Sequence, residues 1–210
     1  MRLRVLMADD HAMVRQGLKA LLEQEGFEVV AEAEDGREAV RLAQDLALDI
    51  AILDISMPSL NGLDAAKEIL RASPRVGVIL LTVHAADHQV VSALRAGIKG
   101  YVLKTHAAEE LVRAIHEVSR GGTYLSPRVS RVVIDAYLSK SELPPDPLSP
   151  RERQVLQLVA EGKTTKEIAA QLDLTTKTAE SYRAKIMEKL DIHDTAGLVR
   201  YAIRQGLIQP

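Results

Sequence analysis

The chain has 210 residues, with 27 Lys and Arg against 29 Asp and Glu, a net charge of −2. That length suits two domains, and a hydrophobic content of 47% excludes a disordered chain. The absence of Cys excludes disulfides, thiolate metal sites and cysteine nucleophiles, and with one Phe and no Trp the cores must be aliphatic. Aliphatic cores favour helices and parallel strands.

The first 120 residues alternate between two periods. Apolar runs at 3–8, 29–33, 50–54, 76–81 and 100–104 read as buried strands. Helical patterns separate them: Met13, Leu18, Leu21 and Leu22; Ala39, Val40, Leu42 and Ala43; Leu63, Ala66, Ile69 and Leu70; Val90, Val91 and Leu94. A last one runs through Leu111, Val112, Ile115 and Val118. This pattern predicts a doubly wound parallel five-stranded α/β domain over 1–120. The run from Val78 to Leu81 stops at Thr82, far short of the ~18 residues a membrane span needs. Met1-Arg2-Leu3-Arg4 leads into a strand with no signal-peptide core, so the expectation is a cytoplasmic protein with no membrane partner.

Residues 121–146 read as a linker. Gly121-Gly122 is flexible, and Pro144-Pro145-Asp146-Pro147 is extended and cannot be helical. Between them Val129, Val132, Val133, Ala136 and Tyr137 recur at helical spacing, with Ser126 able to cap and Pro127 suited to the first turn. Such a stripe fits packing on a domain or on a second subunit.

Only helical signals remain over 147–210. Ser149-Pro150-Arg151-Glu152 is a capping box, and Gly162 ends its helix. Thr164 and Glu167 form a second box before a short helix ending near Leu172. A turn at Asp173-Leu174-Thr175 leads into a helix over 176–190, and a last helix covers about 195–205. Two helices joined by a three-residue turn form a helix-turn-helix within an all-α four-helix domain.

In a parallel sheet the strand ends Asp9-Asp10, Asp54, Thr82 and Lys104 emerge at one edge, where doubly wound proteins place function. Three carboxylates there call for a hard cation, and Mg²⁺ fits a water-rich, oxygen-lined site. A carboxylate beside Mg²⁺ and a Lys ammonium can attack a phosphoryl group. His11, with no second His or Cys nearby, reads as a surface loop residue.

The motifs VLMADDH (5–11), ILDISMPSLNG (52–62), ILLTVH (79–84) and GYVLK (100–104) make residues 1–120 resemble a response-regulator receiver domain of flavodoxin-like fold. The resemblance implies strand order 2-1-3-4-5. It implies that Asp54 accepts a phosphoryl group from a histidine kinase. Asp9, Asp10, Asp54 and the Ser56 carbonyl would then hold Mg²⁺. Lys104 would contact the phosphoryl group, Thr82 would close on it, and Tyr101 would rotate as a switch. Pro58 and Gly62 would shape the loop after Asp54, and Ser56 and His84 would flank the acyl phosphate. The only chemistry implied is the domain's own phosphorylation and dephosphorylation, so the chain is not otherwise an enzyme.

The net charge divides unevenly. Residues 1–145 carry 17 basic and 20 acidic side chains, and residues 146–210 carry 10 and 9. Within 176–190, Lys177, Arg183, Lys185 and Lys189 face Glu180 and Glu188. One face of that helix is apolar, through Ala179, Tyr182, Ile186, Met187 and Leu190. The other can enter a major groove. The segment LSPRERQVLQLVAEGKTTKEIAAQLDLTTKTAESYRAKIMEKL (148–190) resembles a LuxR-type DNA-binding domain, and the whole chain resembles the NarL/FixJ class of response regulators. The resemblance implies base contacts from Lys177, Glu180, Ser181 and Ala184. It implies phosphate contacts from Thr164, Lys166, Thr176, Arg183 and Lys185. It also implies dimerisation on phosphorylation, through 195–205, and binding to paired DNA half-sites. The chain departs from the family at Asp173, where Gly is usual, and at Ala179, Ser181 and Tyr182.

Other readings remain open from the sequence: an aspartyl-phosphate phosphatase or phosphotransferase, a ligand-sensing LuxR-type regulator, and a regulator controlled by partner binding alone. The first lacks a second carboxylate two residues after Asp54, where Ser56 stands.

Overall fold

A computed structural model describes residues 2–83, 87–138 and 147–208, with the side chains of 87, 88, 106, 132 and 136–138 excepted. They fall into two compact units that divide between residues 143 and 144. His84 and residues 139–146, including most of the Pro-rich stretch, lie outside the described residues.

The first unit is a parallel sheet of β1 (Arg4–Ala8), β2 (Glu28–Ala33), β3 (Ile50–Asp54), β4 (Gly77–Thr82), β5 (Gly100–Leu103) and β6 (Tyr124–Leu125). Its strand order is β2-β1-β3-β4-β5-β6. Successive side chains of each strand enter opposite faces, so the sheet separates two cores. Leu6, Ala51, Leu53, Val78, Leu80 and Tyr101 pack on one face against α2 (Gly36–Asp45), α3 (Gly62–Ala72) and α4 (Asp87–Arg95). Val5, Met7, Ile52, Ile79, Leu81 and Val102 pack on the other against α1 (Ala12–Gln24) and α5 (Ala107–Ser119).

Three expectations change here. The sheet has a sixth strand, not five, because Tyr124 N–H donates to the Lys99 carbonyl and Ser126 N–H to the Tyr101 carbonyl along the free edge of β5. The Gly121-Gly122 pair is a helix terminus: Gly121 is left-handed (φ 87°), and the Gly122 amide reaches back to the Glu117 carbonyl. The helix predicted after it, α6 (Pro127–Leu138), packs on the first unit through Val129, which is fully buried, and Val133. The Ser126 hydroxyl does not cap α6. It accepts from Leu103 N–H at 3.1 Å and donates to the Glu110 carboxylate.

The apolar stripe of α1 also differs. Its buried residues are Arg15, Leu18 and Leu22, while Met13 is 89% exposed.

The second unit comprises α7 (Pro150–Ala160), α8 (Thr165–Gln171), α9 (Thr176–Leu190) and α10 (Thr195–Arg204). Both capping boxes form, Ser149 with Glu152 and Thr164 with Glu167. The α8–α9 turn uses Asp173 in the left-handed region (φ 52°), the conformation Asp tolerates better than most residues. Ala179 and Ile186 of α9 are buried with Val155, Leu158, Leu198 and Ala202.

Candidate phosphoacceptor site and DNA-reading face

β1, β3, β4 and β5 are neighbours, so their carboxyl ends deliver side chains to one edge. Asp9 follows β1, Asp54 ends β3, Thr82 ends β4, and Lys104 opens a single 3₁₀ turn after β5. Asp9, Asp54 and Thr82 are all buried. The Lys104 ammonium joins two carboxylates, 2.8 Å from Asp9 Oδ2 and 2.9 Å from Asp54 Oδ2. Burial pushes the Asp54 carboxyl up, and Lys104 pulls it only partly back. Burial also works against the Lys104 ammonium, but Asp54 and Asp9 more than offset it and raise its pKa.

One ammonium does not neutralise this site. Asp9, Asp10, His11 and Asp54 each offer a ligand atom, all within 4.8 Å of one another. Three hard carboxylates at a strand edge, two of them buried, fit a divalent cation of the Mg²⁺ type. His11 is closer to this cluster than the loop reading implies. Its Nδ1 lies 2.7 Å from Asp10 Oδ1 and 3.5 Å from Asp9 Oδ1, although its side chain is half exposed.

The loop after β3 holds Asp54 tightly. Gly62 packs on the Asp54 carbonyl so closely that a Cβ there would sit 1.9 Å from the oxygen. Gly62 N–H donates to the Ile55 carbonyl at 2.8 Å, and Asn61 caps α3 through Asp64 N–H. Ser59, beside Pro58, takes the left-handed region (φ 67°). Ser56 is half-buried in the same loop.

Tyr101, expected to rotate inward, already lies inside, 1% exposed. Its hydroxyl is buried with no hydrogen-bond partner among the described residues, and burial raises its pKa. An unpaired buried hydroxyl costs about 1–3 kcal/mol, which keeps an outward position within reach.

Sequence reading missed Arg15. Its guanidinium is buried and donates to the Asp9 carbonyl at 2.6 Å. The available signal was its spacing: residues 15, 18 and 22 share one helix face, so Arg15 occupies a core position. It also missed the contact of Ser126 with Glu110, which forms only through tertiary packing.

In the second unit Lys177, Glu180, Ser181, Ala184 and Lys185 are exposed on α9. Lys166 of α8 is exposed as well. Thr176 opens α9 beside its cap residue Thr175, and Thr164 caps α8. Arg183 is half-buried and donates to the Thr195 hydroxyl, which links α9 to α10. Lys189, the fourth basic residue of α9, is paired with the buried Glu152 at 2.7 Å. Besides Lys189, the exposed charges of α9 are Lys177, Glu180, Lys185 and Glu188.

Residues 5–116 match the response regulator receiver domain family, and residues 146–202 match the luxR family of bacterial regulatory proteins. The transcriptional regulatory protein LiaR of Bacillus subtilis is 40% identical over 98% of this chain and 99% of its own length. The response regulator UvrY of Escherichia coli is 37% identical over 98% of this chain and 95% of its own. Among solved structures, the Salmonella typhimurium response regulator RcsB superposes with a TM-score of 0.69 at 32% identity. That match covers 95% of this chain and 96% of RcsB. A structure of an RcsB–DNA complex superposes with a TM-score of 0.60 at 33% identity, over 96% of this chain and 98% of that one. Among the described residues, no helix is long and apolar enough to cross a membrane.

Proposed function

Because the chain belongs to the response regulators that join a receiver domain to a luxR-family regulatory domain, we propose that phosphorylation of Asp54 controls DNA binding by the second unit. The observation that carries this reading is the buried Asp54, bridged to Asp9 by Lys104 at the carboxyl edge of the sheet. In the proposed reaction an Asp54 carboxylate oxygen attacks the phosphorus of a phosphohistidine on a sensor kinase. The P–N bond breaks, an acyl phosphate forms, and the kinase histidine keeps the electron pair.

Asp9, Asp10, Asp54 and the Ser56 carbonyl would hold Mg²⁺, which supplies positive charge opposite the phosphoryl oxygens when bound. Lys104 orients the phosphoryl group, and the hydroxyl of Thr82, at the end of β4 between β3 and β5, bonds it. Movement of Thr82 toward that group changes the space beside Tyr101, so the two side chains form the switch. The output is dimerisation through 195–205 and binding to paired half-sites. Lys177, Glu180, Ser181 and Ala184 contact bases. Thr164, Lys166, Thr176, Arg183 and Lys185 contact phosphates. The place of action is the cytoplasm.

Three domain segments accompany this reading: a receiver over 1–120, a segment over 121–146 whose β6 and α6 pack on the first unit, and a DNA-binding domain over 147–210. RcsB dimers bound to DNA support the output step.

Full-length chain incubated with acetyl phosphate and Mg²⁺ should gain one phosphoryl group by mass spectrometry. Asp54→Ala should gain none, and omission of Mg²⁺ should abolish the gain in the wild type. Normal phosphorylation of Asp54→Ala would reject the assignment. Footprinting on genomic fragments, with and without phosphodonor, tests the output.

A further inference from the structure

We propose that Arg15 is the positioning residue of the metal-binding carboxylates, acting through the backbone of Asp9. The inference rests on the reading of Asp9 as a Mg²⁺ ligand. Arg15 lies in the first turn of α1, on the face shared with Leu18 and Leu22, and its side chain is 8% exposed. A guanidinium buried to that degree needs compensating carboxylates and hydrogen-bond acceptors. Nη1 donates to the Asp9 carbonyl at 2.6 Å. Nη2 pairs with Glu34 Oε1 at 2.8 Å, while Nε makes no hydrogen bond among the described residues and lies 3.4 Å from Glu32 Oε2, within ion-pair distance. Lys19 holds the other oxygen of Glu32 at 2.6 Å, which fixes that partner in turn.

The consequence falls on Asp9. Its N–H donates to the Ala33 carbonyl of β2 at 3.2 Å, and its C=O is taken by Arg15. Its side chain is buried, with Oδ1 accepting from His11 N–H at 2.9 Å and Oδ2 on Lys104. Both peptide groups flanking the Asp9 side chain are therefore pinned to elements outside the site. The torsions that aim its carboxylate are set before any cation arrives. Glu32 and Glu34 compensate the Arg15 charge, so its effect on the site is geometric and not Coulombic. A fork of donors is needed to reach a carbonyl and a carboxylate at once. Lys cannot supply it.

Geometry and charge predict opposite signs. Without Arg15, a geometric role weakens Mg²⁺ binding, whereas relief of a nearby positive charge strengthens it. Full-length Arg15→Ala and Arg15→Lys are titrated with MgCl₂ by calorimetry. Both should bind about 10-fold more weakly, the size usual for lost outer-shell support. Phosphorylation by acetyl phosphate should show the same shift in Mg²⁺ requirement and a near-normal rate at saturating Mg²⁺, because Asp54 and Lys104 are untouched. A general loss of structure would lower that maximal rate.

Wild-type affinity in both variants, or tighter binding in Arg15→Ala, overturns the proposal. If Arg15→Ala does not fold, Arg15→Lys decides. Failure of both to fold makes Arg15 a fold determinant and also overturns it. Asp9→Asn separates the two levels of inference. If the wild type binds no Mg²⁺, or Asp9→Asn binds it normally, the metal-site reading itself fails.

Discussion

The Leu103 amide donates to the Ser126 hydroxyl at 3.1 Å, one residue before Lys104. The same hydroxyl donates to Glu110 of α5, and the Ser126 amide donates to the Tyr101 carbonyl. One buried serine thus joins β5, α5 and the start of α6, one residue from Lys104. Ser126→Ala would leave a buried amide without its acceptor and remove the donor to Glu110. The expected cost is about 1–3 kcal/mol in stability of the first unit. Urea unfolding should show it, together with faster hydrogen exchange at Leu103 and over 124–130.

Gly62 is needed for closeness to Asp54. Its backbone conformation is ordinary, so strain is not the reason. A Cβ at position 62 would meet the Asp54 carbonyl oxygen at 1.9 Å, and no flexible side chain can yield there. Gly62→Ala must therefore displace either β3 or α3. Overpacking costs about 1–3 kcal/mol when side chains can adjust, and a backbone obstacle belongs at the upper end or beyond. The predicted result is a lower melting temperature and a phosphorylation yield well below wild type, both measured on the full chain with acetyl phosphate.

How legible these features were in the sequence depended on how each residue is held. β1, β3, β4 and β5 are buried on both faces, so they appear as apolar runs bounded by turn residues, whereas β2 is mostly half-buried and shows only a short apolar run. The limits of α9 were readable because Thr175 caps its start by accepting from Thr178 N–H and Asp191 ends it in the left-handed region. β6 has two residues and is joined to β5 by main-chain bonds, so it leaves no side-chain periodicity. The α1 stripe misled for a different reason. Met13 has the hydropathy of a core residue and the wrong phase, whereas Arg15 has the right phase and an unexpected charge. Lys189 counted as basic by composition, yet Glu152, thirty-seven positions away, neutralises it.

That Glu152–Lys189 pair predicts an acid-sensitive second unit. Burial favours the neutral acid, but Lys189 and the Ser149 amide and hydroxyl outweigh it and hold the Glu152 carboxyl below its ordinary range. A lowered folded-state pKa adds stability that is fully present above the unfolded value of 4.5. That contribution erodes as pH falls below 4.5 and is gone below the folded value. Residue-resolved hydrogen exchange on the full chain should show α7 and α9 losing protection across this window. Glu152→Gln should remove the dependence and leave protection at pH 7 lower than in the wild type.

The proposed DNA-reading face makes a prediction that separates two kinds of contact. Lys185 and Lys166 are exposed and assigned to phosphates, so each should act through charge alone. Lys185→Ala should weaken binding to all sequences alike and reduce the slope of log affinity against log salt by about 1. Glu180 and Lys177 are exposed at the start of α9 and assigned to bases. Glu180→Gln should leave the salt slope nearly unchanged. It should relax the preference at one base pair of each half-site, by about 1–3 kcal/mol where the natural base is cytosine. Gel-shift titrations at several salt concentrations, on a footprinted site and its single-base variants, measure both quantities. A salt slope altered equally by the two substitutions would show that α9 meets the backbone and not the base edges.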